Sequence, residues 1–242
     1  MTFYLIGTGL DKNSISADAL EILKTCDKVY LENYTVNFPY SFEELENEIK
    51  IKFIELKRNA VEDETILEEA KTKKIALLVY GDSLSATTHT QLILSCKKQS
   101  IPYQIFHNSS IIIAVAETGL QLYKFGKTAS MPNWKEHTNK PTSFMNYIKD
   151  NLSIQAHTLI LTDIGLEIKD AIQQLEQSAL KTKIKIPKKI VVISKAGTQK
   201  QKIFYNTPKN LTKKDISMPF CIIIPSELHF IEEEALEVLK SG

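Results

Sequence analysis

Cysteine is scarce in this 242-residue chain, with three residues, Cys26, Cys96 and Cys221, far apart and without a CxxC pair. That spacing argues against a zinc site or a disulfide framework. Each sits among apolar neighbours, as a small buried hydrophobe does. Charge of one sign is also missing. Thirty basic residues against twenty-nine acidic ones leave a formal net charge of +1, so the bulk composition lends no support to a nucleic-acid grip through many phosphates. Runs such as Lys71, Lys73 and Lys74, or Lys181 to Lys189, read as solvated faces. Apolar runs are short. Ile111 to Ala116 is far below the ~20 residues that a membrane helix needs. No charged n-region or long apolar stretch opens Met-Thr-Phe-Tyr-Leu-Ile-Gly, and the expectation is a soluble cytoplasmic protein without a membrane span.

Several motifs are missing too. The chain has no GxxxxGK[ST] phosphate loop, no HExxH and no GxSxG. Walker-type phosphoryl transfer, zinc hydrolysis and α/β-hydrolase chemistry lose ground accordingly. There is no internal repeat, no low-complexity segment and no Pro/Gly/Ser-rich linker.

Hydrophobic residues make up 43% and charged residues 24%, the composition of a chain that buries a real core. Short β-branched runs alternate with helix-period segments. Phe3 to Ile6, Val29 to Leu31, Ile51 to Leu56, Ile75 to Val79 and Tyr103 to Phe106 read as strands. Helices are expected from Ile15 to Leu23, from Val61 to Lys73 and from about Ala86, where His89, Leu92, Ile93 and Cys96 share one face. The second half adds strands at Leu159 to Leu161, Ile190 to Ile193 and Cys221 to Ile224. Helices are expected around Ile168 to Ala179 and Ile231 to Val238, with an exposed strand or hairpin at Gln199 to Tyr205. The reading is α/β in both halves, with two closely apposed domains, 1–110 and 111–242.

Candidate chemistry gathers at predicted strand ends, where ligands of open α/β sheets bind. Gly7-Thr8-Gly9 follows the first strand, but Lys12 stands where a full dinucleotide fingerprint needs its third glycine. A tight turn and a close approach to a ligand both remain open. Asp82 could bind a ribose hydroxyl or an amino group, or cap the helix after it. His89 fits a satisfied core histidine better than a catalytic one. His107 to Ile111 could offer hydroxyls and backbone N–H groups, or be an ordinary capped turn.

Taken in order, Gly7-Thr8-Gly9-Leu10, Tyr30 to Thr35, Gly81-Asp82 through Ala86-Thr87-Thr88-His89-Thr90, and His107 through Ile111 form a pattern. It continues through Thr118-Gly119-Leu120-Gln121-Leu122-Tyr123-Lys124-Phe125-Gly126-Lys127 to Pro141-Thr142-Ser143, His157-Thr158-Leu159 with Asp163-Ile164, Ala196-Gly197-Thr198, and Pro225 with Leu228-His229. Over nearly its whole length the chain resembles the diphthine synthase family, a branch of the tetrapyrrole-methylase-like methyltransferases. The ATTHT and TGLQLYKFGK blocks are the specific part. Ser83 departs from the proline usual after the Gly-Asp pair.

The resemblance implies two α/β domains of tetrapyrrole-methylase type with an S-adenosylmethionine cleft between them. By motif it implies cofactor contacts at Leu10, Asp82, Ser85, Ser110 and Ile111, completed from the second domain by Thr162, Ala196 and Phe220. It implies repeated N-methylation of the 3-amino-3-carboxypropyl-histidine of elongation factor 2, in a homodimer, without nucleic acid. Methyl transfer to an amine needs alignment more than a nucleophilic side chain, which suits the missing triad and metal motifs; no catalytic residue is assigned. Tyr34, Tyr123, Phe125 and Trp134 are candidates to face a quaternary ammonium product. Two rivals are a sister enzyme acting on a tetrapyrrole or ribosomal RNA, and a binding module that has lost catalysis.

Overall fold

The computed structural model describes residues 1–239, and they form two compact units, one of residues 1–111 and one that starts at Ile112. The first contains β1 (Thr2–Gly7), α1 (Ala17–Leu23), β2 (Lys28–Glu32), α2 (Phe42–Ile49), β3 (Ile54–Leu56), α3 (Arg58–Glu62), α4 (Thr65–Ala70), β4 (Lys74–Val79), α5 (Thr90–Lys98) and β5 (Tyr103–Phe106). Its five strands form one sheet in the order β3-β2-β4-β1-β5, and every neighbouring pair is parallel.

Strand alternation sends Phe3, Leu5, Tyr30, Ile75, Leu77 and Val79 to one face, where residues of α4 and α5 cover them. Tyr4, Ile6, Val29, Leu31, Ala76 and Leu78 go to the other, under α1 and α2. Burial on both faces explains why these strands read as unbroken apolar runs. The parallel arrangement also brings the last residues of all five strands, Gly7, Glu32, Leu56, Val79 and Phe106, to one edge.

The second unit follows α6 (Ile111–Ala114) with β6 (Ala129–Met131), α7 (Phe144–Ser153), β7 (Thr158–Thr162), α8 (Ile168–Thr182), β8 (Ile190–Ser194), β9 (Lys202–Asn206), α9 (Pro208–Leu211), β10 (Phe220–Ile224) and α10 (Phe230–Val238). Its sheet runs β6-β7-β10-β8-β9. β6 and β7 are parallel and the remaining pairs antiparallel. On α8, Ile168, Ala171, Ile172 and Leu175 are buried at i, i+3, i+4 and i+7 in the core of this unit, the stripe of a helix laid on a sheet. Because β10 runs against β7 and β8, the ends of those two strands and the start of β10 share one edge.

Several elements differ from the sequence expectation. The helix expected over Val61 to Lys73 is two, α3 and α4, broken at Glu64, whose φ of 57° is left-handed. The α5 helix starts at Thr90, not Ala86; Ala86 itself takes a φ of 59° in the preceding loop. The acidic stretch before residue 50 holds an unexpected helix, α2, opened by a capping box between Ser41 and Glu44. The segment expected to be exposed after Gln199 is the edge strand β9, antiparallel to β8 and half-buried over Ile203 to Asn206.

Candidate active site

At the carboxyl edge of the first sheet, the turns after β1 and β4 are tied backbone to backbone. Gly9 and Gly81 exchange N–H···O bonds of 3.0 Å in both directions. A Cβ on Gly7 would lie 2.6 Å from the Gly81 carbonyl oxygen, and one on Gly9 2.4 Å from the Ser14 Cβ. Both glycines therefore serve a close approach of the chain to itself, which any larger residue would force apart. Leu10, buried next to this junction, accepts a 3.0 Å hydrogen bond from the Tyr80 hydroxyl on its carbonyl.

Asp82 stands where the turns after β4 and β5 meet. Its Oδ1 accepts from the Leu84 N–H (3.0 Å) and the Ser85 hydroxyl (3.2 Å). Its Oδ2 accepts from His107 Nδ1 (2.8 Å) and the Asn108 N–H (3.1 Å). Burial pushes the carboxyl up, but the Leu84, His107 and Asn108 donors outweigh it and hold the pKa below the ordinary carboxylate value. Asp82 is thus ionised and each oxygen is engaged twice. Asn108 extends the clamp, since its side-chain amide donates to the carbonyls of Gly7 (3.0 Å) and Ser14 (2.8 Å). One carboxylate and one amide join three strand-end turns.

The ATTHT block pins the loop between β4 and α5. The Ser83 carbonyl accepts from the Thr87 hydroxyl (2.7 Å) and from His89 Nδ1 (3.1 Å). His89 is buried and its pKa is lowered, chiefly by that burial, so it is a neutral loop pin. Its Nε2 and the Ser83 hydroxyl are both buried without a hydrogen-bond partner among the described residues.

Leu10, Asp82, Ser85, Ser110 and Ile111 all belong to the turns of this edge or follow them directly, and Leu10, Asp82 and Ser110 are buried. In the second unit, Thr162, Ala196 and Phe220 also come together. The Thr162 hydroxyl donates to the Phe220 carbonyl at 2.6 Å, Phe220 pairs with Ser194, and the Lys195 N–H bonds to the Pro219 carbonyl at 2.8 Å, one residue before Ala196. The four candidate aromatics have separate surroundings. Tyr34 packs on the first unit's core, Phe125 lies edge-on to His157, Trp134 donates to the Pro141 carbonyl, and Tyr123 is 81% exposed.

The TGLQLYKFGK block anchors a polar network in the second unit. Glu232 of α10, with no exposed surface, accepts from the Gln121 N–H (2.9 Å), Lys124 Nζ (2.6 Å), the His229 N–H (2.8 Å) and His157 Nε2 (3.1 Å). Burial raises its pKa, but these donors prevail and hold it at about 2. His157 Nδ1 accepts from the Ser226 N–H at 2.9 Å, which fixes the Nε2–H tautomer. The sequence holds no clear mark of Glu232, because His229 stands where a capping box needs Ser or Thr, although the carboxylate does accept from the His229 N–H.

Residues 2–212 match the tetrapyrrole (corrin/porphyrin) methylase family. The diphthine synthase of Methanocaldococcus jannaschii is 38% identical over 251 residues, covering 97% of each chain. A crystal structure of diphthine synthase superposes with a TM-score of 0.89 at 33% identity, covering 100% of this chain and 96% of that one. The chain belongs to the diphthine synthases. The diphthine methyl ester synthase of Bos taurus is 35% identical, over 97% of this chain and 94% of its own. This is therefore a methyltransferase of diphthamide biosynthesis, and the family's characteristic blocks fall on the turn clamp of the first unit and the Glu232 network of the second.

Proposed function

We propose that the chain transfers methyl groups from S-adenosylmethionine to the amine of the 3-amino-3-carboxypropyl-histidine of elongation factor 2, more than once per acceptor. The observation that carries this reading is the Asp82–Asn108 clamp, which fixes three strand-end turns at the edge where α/β folds bind ligands. The residues fit such a cofactor. The Gly7 and Gly9 turn packs against Gly81 and Ser14 and so holds the edge in shape, and Leu10, Ser110 and Ile111 are the proposed apolar and hydroxyl-bearing rim. Thr162, Ala196 and Phe220 are the contributions of the second unit. Because both oxygens of Asp82 are occupied by the chain, its part is to hold these turns in shape. The cofactor, when bound, supplies the electrophilic methyl group.

The chain's own work is to align a neutral amine with that methyl and to keep water out. Two further readings belong here, that the enzyme is cytoplasmic and that it acts as a homodimer. Exposed apolar residues of the second unit, Leu122, Tyr123, Phe230 and Ile231, favour self-association. Nucleic acid is no partner in this reading, which the balanced charge supports.

One observation favours a second outcome of the same reaction. Relatives at comparable identity include enzymes named for a methyl ester, so methylation could extend to the carboxylate. Labelled S-adenosylmethionine and elongation factor 2 bearing the precursor histidine test both. Mass spectrometry of that residue is expected to show more than one added methyl, all stable to mild base. A base-labile methyl would establish the ester, and no label on the histidine would sink the proposal.

A further inference from the structure

β2 ends on Glu32, directly after Leu31, which pairs with Leu78 of β4. The carboxyl therefore stands on the same edge as Asp82, beside the strand that leads into it. Tyr30 lies on the face covered by α4 and α5, and alternation puts Glu32 on that face as well. The side chain has no exposed surface. The Thr35 hydroxyl donates to Oε1, whereas Oε2 is buried without a hydrogen-bond partner among the described residues. Burial pushes this carboxyl up to about 7, against the opposing pull of the Thr35 hydroxyl and Arg58.

A buried carboxylate oxygen without a donor is costly, and an arriving ammonium relieves the cost. The neighbours supply the complement. Arg58 lies 5.3 Å from the centre of the Tyr34 ring, and its ion pair with Glu62 is long, at 3.9 Å, and largely exposed. Such a pair holds little energy, so the guanidinium is available to another anion. The Tyr34 hydroxyl is likewise buried with no partner among the described residues. Thr35, whose hydroxyl engages Oε1 of Glu32, is itself exposed. A carboxyl and a guanidinium thus flank one aromatic ring on the functional edge of the sheet, and neither takes part in the turn clamp.

We propose that Glu32, Tyr34 and Arg58 form a receptor for an α-amino-acid head group, with the ammonium on Glu32 and the carboxylate on Arg58. Displacement of the Thr35 hydroxyl opens the way to Glu32. This inference rests on the functional reading above, in which the acceptor side chain ends in such a head group. The methionine end of the methyl donor carries the same two charges, so the test must separate the sources.

Glu32→Gln keeps the shape and removes the charge. Arg58→Met alters an exposed side chain with little risk to folding. Calorimetric titration of both variants would use S-adenosylhomocysteine, methylthioadenosine (which lacks the head group), and elongation factor 2 with and without the 3-amino-3-carboxypropyl group. If the acceptor is the ligand, modified factor binds at least tenfold more weakly to each variant, while S-adenosylhomocysteine changes less than twofold. If the donor is the ligand, S-adenosylhomocysteine weakens tenfold and methylthioadenosine does not. Either outcome supports the receptor and names its source. Changes below twofold for every ligand would overturn it, as would equal weakening of methylthioadenosine. The titrations do not depend on turnover, so a wild-type chain that fails to methylate the factor would defeat the functional reading and leave this one to its own test.

Discussion

Both carboxylate oxygens of Asp82 are engaged by the chain itself, so the role proposed for it in cofactor binding acts through the turns it holds. Its four hydrogen bonds join the turn after β4 to the turn after β5, and Asn108 carries the connection on to the turn after β1. Asp82→Ala removes all four acceptor contacts and leaves the half-buried Leu84 and Asn108 N–H groups short of partners. Each such loss costs about 1–3 kcal/mol, and the turns that shape the proposed cofactor site would relax. S-adenosylmethionine affinity should fall at least tenfold in Asp82→Ala, measured by calorimetry. An affinity within twofold of wild type would show that the clamp does not serve the cofactor. The sequence placed Asp82 at a strand end and left ligand binding and capping both open. Asp82 caps no helix, since α5 begins only at Thr90 with His89 at its N-cap, and the clamp was hidden because the His107 and Asn108 donors come from 25 and 26 residues further on.

Elements whose pattern repeats within themselves were the legible ones. The buried parallel strands announce themselves as apolar runs, and α8 by its spacing. Glu64 and Ala86 escaped notice because a left-handed backbone at a non-glycine residue leaves no periodic trace. The role of TGLQLYKFGK was equally hidden, since Gln121 and Lys124 meet Glu232 more than a hundred residues later. That meeting fastens the segment before β6 to β7 and α10, and it has a pH signature. The Glu232 pKa of about 2 lies below its ordinary 4.5. Its contribution is therefore complete above pH 4.5 and lost as the pH falls from there toward 2. His157 has a lowered pKa because burial disfavours its charged form. Its neutral form is favoured by folding, so its contribution is complete above about 6.5 and shrinks as acid protonates the unfolded chain. Both act in the same direction, and thermal stability should decline in two stages on acidification. Glu232→Gln should cost about 1–3 kcal/mol at pH 7 and flatten the decline below pH 4.5, as thermal melts from pH 8 to 3 would show. An unchanged acid limb would mean that other carboxylates govern it.

At the scale of the whole molecule, the balance of charge leaves assembly to apolar surface. A formal charge of +1 on 242 residues gives little long-range repulsion between copies, and Leu122, Tyr123, Phe230 and Ile231 are exposed next to residues of the Glu232 network. Gln121 and Lys124 anchor the first pair to Glu232, and the His229 cap anchors the second. Four exposed apolar side chains adjoining residues of that network in the chain suit an interface better than a random surface, where large exposed apolar groups are usually scattered. The expected species in solution has twice the 27.5 kDa mass of one chain. Sedimentation equilibrium would establish it, and Tyr123→Lys together with Phe230→Glu should shift the mass toward the monomer without loss of helix by circular dichroism. A wild-type chain that sediments as a monomer at tens of micromolar would defeat the dimer. The exposed residues would then be left as contacts for the protein substrate, a role that the same double variant would expose as a rise in the KM for elongation factor 2 with unchanged cofactor affinity.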